Sequence, residues 1–193
     1  MYLSKKNIAI TLAVIILLFP LFFGIYTEFL FINDFTLFTL TYLLIGFVLL
    51  LVLGKVMEYF MYKGVSKETM KHHEVIKALL NKNGKTLLFV FFPLTMIMEE
   101  FIFRYYLIGI LLCQLKSGLF LAILISSVIF SLYHLHIWFK FKNLKILISY
   151  LISSFLLAIY NGYLLTTLGI FVCIIVHAIL VFILYCNLYK KLS

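Results

Sequence analysis

Two adjacent glutamates, an arginine and two histidines stand inside runs of residues that are otherwise apolar: Glu99, Glu100 and Arg104 in one run, His134 in the next, and His177 in the last. An ionisable side chain facing lipid is costly, so such residues turn toward a bundle interior or a water-filled cavity, and one shared site lowers that cost for all of them. Glu100 and Arg104 are spaced i, i+4, close enough on a helix for a charge-assisted contact. Glu99 lies about 100° around the helix from Glu100. Arg104 is therefore expected to neutralise Glu100 and anchor the helix, with Glu100 pointing away from the histidines and Glu99 facing them. A carboxylate beside an imidazole can activate water: His134 would hold the proton or orient the water, and His177 would donate to the developing oxyanion of a peptide carbonyl.

Two other uses of these residues stay open. One is an ion-pair and hydrogen-bond network that joins three helices without chemistry. The other is a zinc site with Glu99, His134 and His177 as ligands and water in the fourth position. No histidine pair at i and i+4 supports the metal, so no cofactor is expected. Other intramembrane peptidase chemistries fit less well, because Asp34 is the only aspartate and no G-x-S-x-G elbow occurs. The segment Lys71-His72-His73-Glu74 does not complete H-E-x-x-H and reads as a solvated face.

The elements that must position these groups are membrane helices. Hydrophobic residues make up 65% of the 193 and charged ones 12%, with a mean hydropathy of +1.18, which excludes a soluble globular domain. Apolar runs fall at 8–26, 35–54, 86–112, 119–138, 146–163 and 169–189. Each can cross a core about 30 Å thick, so the expected fold is an all-α polytopic membrane helix bundle of about six transmembrane helices. Residues 1–193 form a single membrane domain, with two N-terminal spans and a cytoplasmic segment in 1–85 and the remaining spans in 86–189. The first run lacks a small-x-small cleavage site, so it reads as a retained helix and not a signal peptide. Glu99 lies about 21 Å beyond Lys85 on straight-helix geometry, so a funnel or a bend near Pro93 has to bring water to it.

The net charge of +9 is not a nucleic-acid footprint, because the basic residues sit in the gaps between apolar runs. Lys5 and Lys6 precede the first run; seven lysines from Lys55 to Lys85 fill the second gap; Lys140, Lys142 and Lys145 fill the fourth; Lys190 and Lys191 follow the last. By the positive-inside rule both termini face the cytoplasm, which implies a multi-pass protein of the cell membrane. Within 65–83, Met70, Val75, Ile76, Leu79 and Leu80 are spaced as one helical face, predicting an interfacial helix with its lysines toward headgroups. Cys113, Cys173 and Cys186 have neither C-x-x-C spacing nor a disulfide pattern and read as packing residues.

Once the motifs are set in order, the chain resembles the CPBP family, which takes in the CAAX prenyl endopeptidases and the bacteriocin-processing and immunity proteins formerly called Abi. Glu99 to Arg104 matches E-E-x-x-x-R, Phe130 to His134 matches F-x-x-x-H, and His177-Ala178 matches the last-helix histidine and alanine, over 86–189. The resemblance implies a glutamate peptidase acting on a hydrophobic or membrane-associated peptide. In it Glu99 and His134 activate water, Glu100, Arg104 and Phe130 support them, and His177 binds the oxyanion. The family's asparagine four residues after that histidine is Val181 here. That departure keeps a second reading beside the peptidase: a catalytically silent bacteriocin self-immunity or membrane scaffold protein.

Overall fold

In lipid every backbone polar group must be satisfied within its own segment or by a neighbour, and the computed structural model meets this entirely with helices. It describes residues 5–61, 74–80 and 86–192, and among these there is no strand. Helix α1 (Lys5–Leu18) tightens into a 3₁₀ turn, Phe19–Phe23, that begins around Pro20 and stops at Gly24, whose φ of 71° is left-handed. Helix α2 (Leu37–Met61) opens on a pair of threonines. Thr36 Oγ1 accepts from the Thr39 N–H at 3.2 Å and Thr39 Oγ1 accepts from the Thr36 N–H at 2.9 Å, which satisfies two of the donors a helix start leaves unpaired.

Helix α3 (Glu74–Leu80) is the described part of the expected interfacial helix, and the Lys71–His73 segment lies outside the described residues. Its Val75, Ile76 and Ala78 are buried while Lys77 is exposed. Ile76 packs with Ile137, Phe141, Ile146, Leu147 and Leu188, so the apolar face docks on the end of the bundle. Helix α4 runs over 87–114 and alternates α-turns with π-turns at Leu87–Phe91, Phe101–Tyr106 and Ile110–Gln114. The first has a local cause. Pro93 has no N–H to offer the carbonyl four residues back, and the turn before it widens so that the Phe92 N–H reaches Leu87 O. Next to Pro93, where a bend or funnel is expected, the helix thus carries a π-turn.

Helix α5 (Leu119–Tyr133) ends at His134, and α6 (His136–Phe141) resumes after it. The last helical stretch, Leu144–Leu192, would be about 70 Å long if straight, more than twice the hydrocarbon thickness. It is broken at Gly169, where φ 81° and ψ 173° are open essentially to glycine alone. The two halves, α7 (144–168) and α8 (170–192), fold back on each other. Asn161 Nδ2 donates to Cys173 O at 3.2 Å and the Tyr150 and Tyr185 hydroxyls lie 3.2 Å apart, neither of which a continuous helix allows.

Four helical stretches are long and apolar enough to cross a membrane: Lys5–Phe23, Leu37–Phe60, Leu119–Phe141 and Leu144–Lys190. Dividing the last at Gly169 and adding α4 gives the six apolar segments expected, and the chain is an integral membrane protein. The α7–α8 hairpin packs on α5 and α2. Its core joins Phe101, Tyr105 and Ile108 of α4 to Leu164 and Leu165 of α7 and Cys173 of α8. Side-chain hydroxyls tie the helices across that core by donating to backbone carbonyls, Tyr105 to Ile25, Ser131 to Leu151 and Tyr160 to Leu43.

Candidate active site

A cavity of about 900 Å³ opens in the bundle, and Glu99, His134 and His177 all line it, together with Phe130 and Val181. The three thus share one cavity. Three elements supply the polar groups: α4 the glutamates, the break between α5 and α6 His134, and α8 His177. The walls around them are mostly apolar, from Ile10 and Ala13 of α1, Phe92 and Met96 of α4, and Leu180, Val181 and Leu184 of α8, with Lys6, Glu58 and Ser153 among the polar exceptions.

Glu100 and Arg104 are fully buried, with Arg104 Nε 3.3 Å from Glu100 Oε2. The guanidinium carbon also lies 3.8 Å from the centre of the Phe130 ring, a cation–π contact worth about 2 kcal/mol when water is excluded. Phe130 therefore has a tangible partner: it covers the cation that neutralises Glu100.

Glu100 does not point away from the histidines. His177 Nδ1 lies 2.6 Å from Glu100 Oε1, while its Nε2 lies 3.9 Å from Glu99 Oε2. The imidazole stands between the two carboxylates. The expectation rested on backbone angles alone; two flexible glutamate side chains on neighbouring positions can straddle one flat ring. The widened turn at Phe101–Tyr106 also alters the spacing on which an α-helical separation depends. A carboxylate only accepts, so Nδ1 carries the proton toward Glu100, and Nε2 is thereby aimed at Glu99 and the cavity.

His134 is fixed in the same manner by a different acceptor. Its Nδ1 donates to Phe130 O at 2.9 Å, so in the neutral ring Nε2 bears the lone pair. The ring meets Phe130 edge to face at 4.9 Å and stacks near Tyr150 at 6.3 Å. Phe130 also packs edge to face on His177 at 6.0 Å, so one phenylalanine spaces both imidazoles. No bond joins Glu99 directly to His134; they share the cavity. Among the described residues no three histidine, cysteine or carboxylate groups come close enough together to hold a metal ion.

Sequence reasoning missed Asn161. It is fully buried on α7, donates to Cys173 O, and lies next to the Glu100 carboxylate. The signal was available in principle, as an amide within an apolar run, but it carries no charge and shares no motif with the ionisable set.

A family model described as type II CAAX prenyl endopeptidase, Rce1-like, matches residues 82–183, more than half of the chain. The chain belongs to the Rce1-like family. The matched span takes in Glu99, Glu100, Arg104, Phe130, His134, His177 and Val181, so every residue of the three motifs lies within the Rce1-like region. Helices α1 and α2 lie outside it. No curated relative and no solved structure matches the chain. Membership of a CAAX protease family gives the chain the general character of a membrane protease. Val181 lines the cavity one turn beyond His177 and places an isopropyl group at the position where the motif resemblance leads one to expect an asparagine.

Proposed function

We propose that the chain is a multi-pass peptidase of the cell membrane that hydrolyses a peptide bond in a hydrophobic or membrane-associated peptide, using water activated by Glu99 and His134. The observation that supports it most is the arrangement of polar groups by depth. Glu99, His134 and His177 open onto one largely apolar cavity, whereas Glu100 and Arg104 are fully buried outside its lining. A network that served only helix association would have no need to leave one carboxylate and two imidazoles on a cavity large enough for a peptide segment.

In this reading a water between Glu99 and His134 Nε2 gives up a proton as its oxygen attacks the scissile carbonyl, and that proton passes to the leaving amine. His177 Nε2–H donates to the oxyanion. That donation uses the second ring N–H of His177, the first being turned to Glu100. Both termini face the cytoplasm, by the lysine distribution, and the cavity opens there, beside His136 and Lys140. Its occupants are a hydrophobic peptide and, at the rim, membrane lipid, with no part for nucleic acid or a cofactor.

The decisive experiment compares peptides in cells carrying the wild type or Glu99→Gln by mass spectrometry. Uncleaved precursors should accumulate only with the variant, and identical peptide profiles would sink the reading. A silent self-immunity or scaffold role is the second reading, and the observation in its favour is Val181 on the cavity wall. It wins if Glu99→Gln leaves biological activity intact while Arg104→Ala abolishes it through loss of folding.

A further inference from the structure

An amide inside a membrane bundle is retained at a cost unless it bonds. Asn161 is fully buried on α7, and its Oδ1 has no hydrogen-bond partner. An apolar residue of similar size would avoid burying that atom unpaired. What the position uses is the donor end.

That end reaches two places that matter to His177. Nδ2 donates to Cys173 O at 3.2 Å, and Cys173 Sγ returns a contact to Asn161 O at 3.3 Å. Cys173 is four residues before His177, so in the α-helix its carbonyl is the one that the His177 N–H bonds. The amide therefore grips the turn from which His177 projects. It also adjoins the carboxylate of Glu100, the group that holds His177 Nδ1 at 2.6 Å. One side chain on α7 thus bonds the backbone seat of the His177 ring and lies beside the acceptor that sets its rotation.

We propose that Asn161 is a positioning residue for the Glu99–His177 pair, fixing through its amide the α8 turn that carries His177 and the Glu100 carboxylate that orients its ring. The inference rests on the peptidase reading. It says that a small displacement of His177 Nε2, now 3.9 Å from Glu99, is what the amide prevents.

The test uses the full chain in detergent micelles with a fluorogenic library of apolar peptides, comparing wild type, Glu99→Gln, Asn161→Leu and Asn161→Asp. Asn161→Leu should lower kcat about 10- to 100-fold, as loss of an outer-shell orienting partner typically does, with KM within about threefold and the thermal midpoint showing a folded protein. In Asn161→Asp the new carboxyl faces Glu100 and Arg104 from α4 and Cys173 and His177 from α8. Ionised, it cannot donate to Cys173 O and repels Glu100; protonated, it regains a donor. Its activity relative to wild type should therefore recover as pH falls, which a packing defect would not produce. Wild-type kcat in both variants overturns the proposal, and so does a loss without acid recovery that follows the loss of folded protein. If no hydrolysis sensitive to Glu99→Gln is found, the peptidase reading itself fails and this inference with it.

Discussion

At the scale of residues, the site is governed by how Arg104 and His177 share Glu100. Its carboxylate meets Arg104 at 3.3 Å on one oxygen and His177 at 2.6 Å on the other, so removing Arg104 leaves a buried carboxylate without its permanent counter-ion. Arg104→Ala should destabilise the fold by about 3–5 kcal/mol, the usual cost of breaking a buried pair. Arg104→Lys should recover only part of this, because an ammonium lacks the flat face that lies on Phe130. Thermal unfolding in detergent reads both, and wild-type stability in Arg104→Ala would refute the assignment of Arg104 as anchor. A second prediction concerns rate. Loss of one oxyanion donor typically costs about 100- to 1000-fold, so Val181→Asn, one turn from His177, should raise kcat by about 100-fold if hydrolysis is limited at that step; an unchanged kcat would mean that the donor is already supplied. The ionisable set was legible in the sequence because charge in an apolar run has few places to go. The bond from His177 to Glu100 was not, because backbone angles do not say where two long carboxylate side chains end, and Asn161 escaped because an amide advertises nothing by charge.

At the scale of elements, the hairpin of α7 and α8 sets the site, since it carries Asn161 and His177 and buries them against α4. Its reversal depends on Gly169, where an added Cβ would stand 2.7 Å from Phe31 O and 2.8 Å from Leu30 O in a backbone conformation with φ +81°. Those are backbone atoms of the connection that covers the hairpin tip, held there by Asn33 and Asp34 donating to Thr167 O at 2.9 Å each. Gly169→Ala should therefore cost well over 1 kcal/mol, from strain of about 1–3 kcal/mol plus the clash. Gly118→Ala, whose Cβ meets nothing within 4 Å, should change stability by less than about 0.5 kcal/mol. Equal midpoints for the two variants would remove Gly169 as the determinant of the reversal. The sequence announced six apolar runs, and their number survives. It did not announce the π-turns of α4, because a turn widened by one residue leaves composition and apolar content unchanged and shows only in which carbonyl each N–H finds.

At the scale of the whole molecule, the family match covers 82–183, yet the cavity wall includes Ile10 and Ala13 of α1 and Gly54 and Glu58 of α2. The first two long helices thus complete an enclosure whose Glu99, His134 and His177 come from the matched region, and they add Lys6, Asn7 and Glu58 to its lining. Orientation ties this enclosure to the cell. On the orientation proposed from the lysine distribution, the cavity, whose lining includes His136 and Lys140, opens on the cytoplasmic side. Cys113, at the other end of α4, is exposed near Glu28, with its Sγ 3.6 Å from the carboxylate, and should face the opposite side. The chain therefore already contains a reporter for one face. With Cys186→Ser to silence the partly exposed thiol and Cys173 left in its buried place, a membrane-impermeant maleimide should label Cys113 in right-side-out vesicles. A second thiol introduced by Val181→Cys should react only in inverted vesicles, through the cavity mouth. Labelling of Cys113 from the cytoplasmic face would reverse the topology, and protection of position 181 from both faces would mean that water does not reach the cavity wall, leaving Glu99 and His134 without the molecule they are proposed to activate.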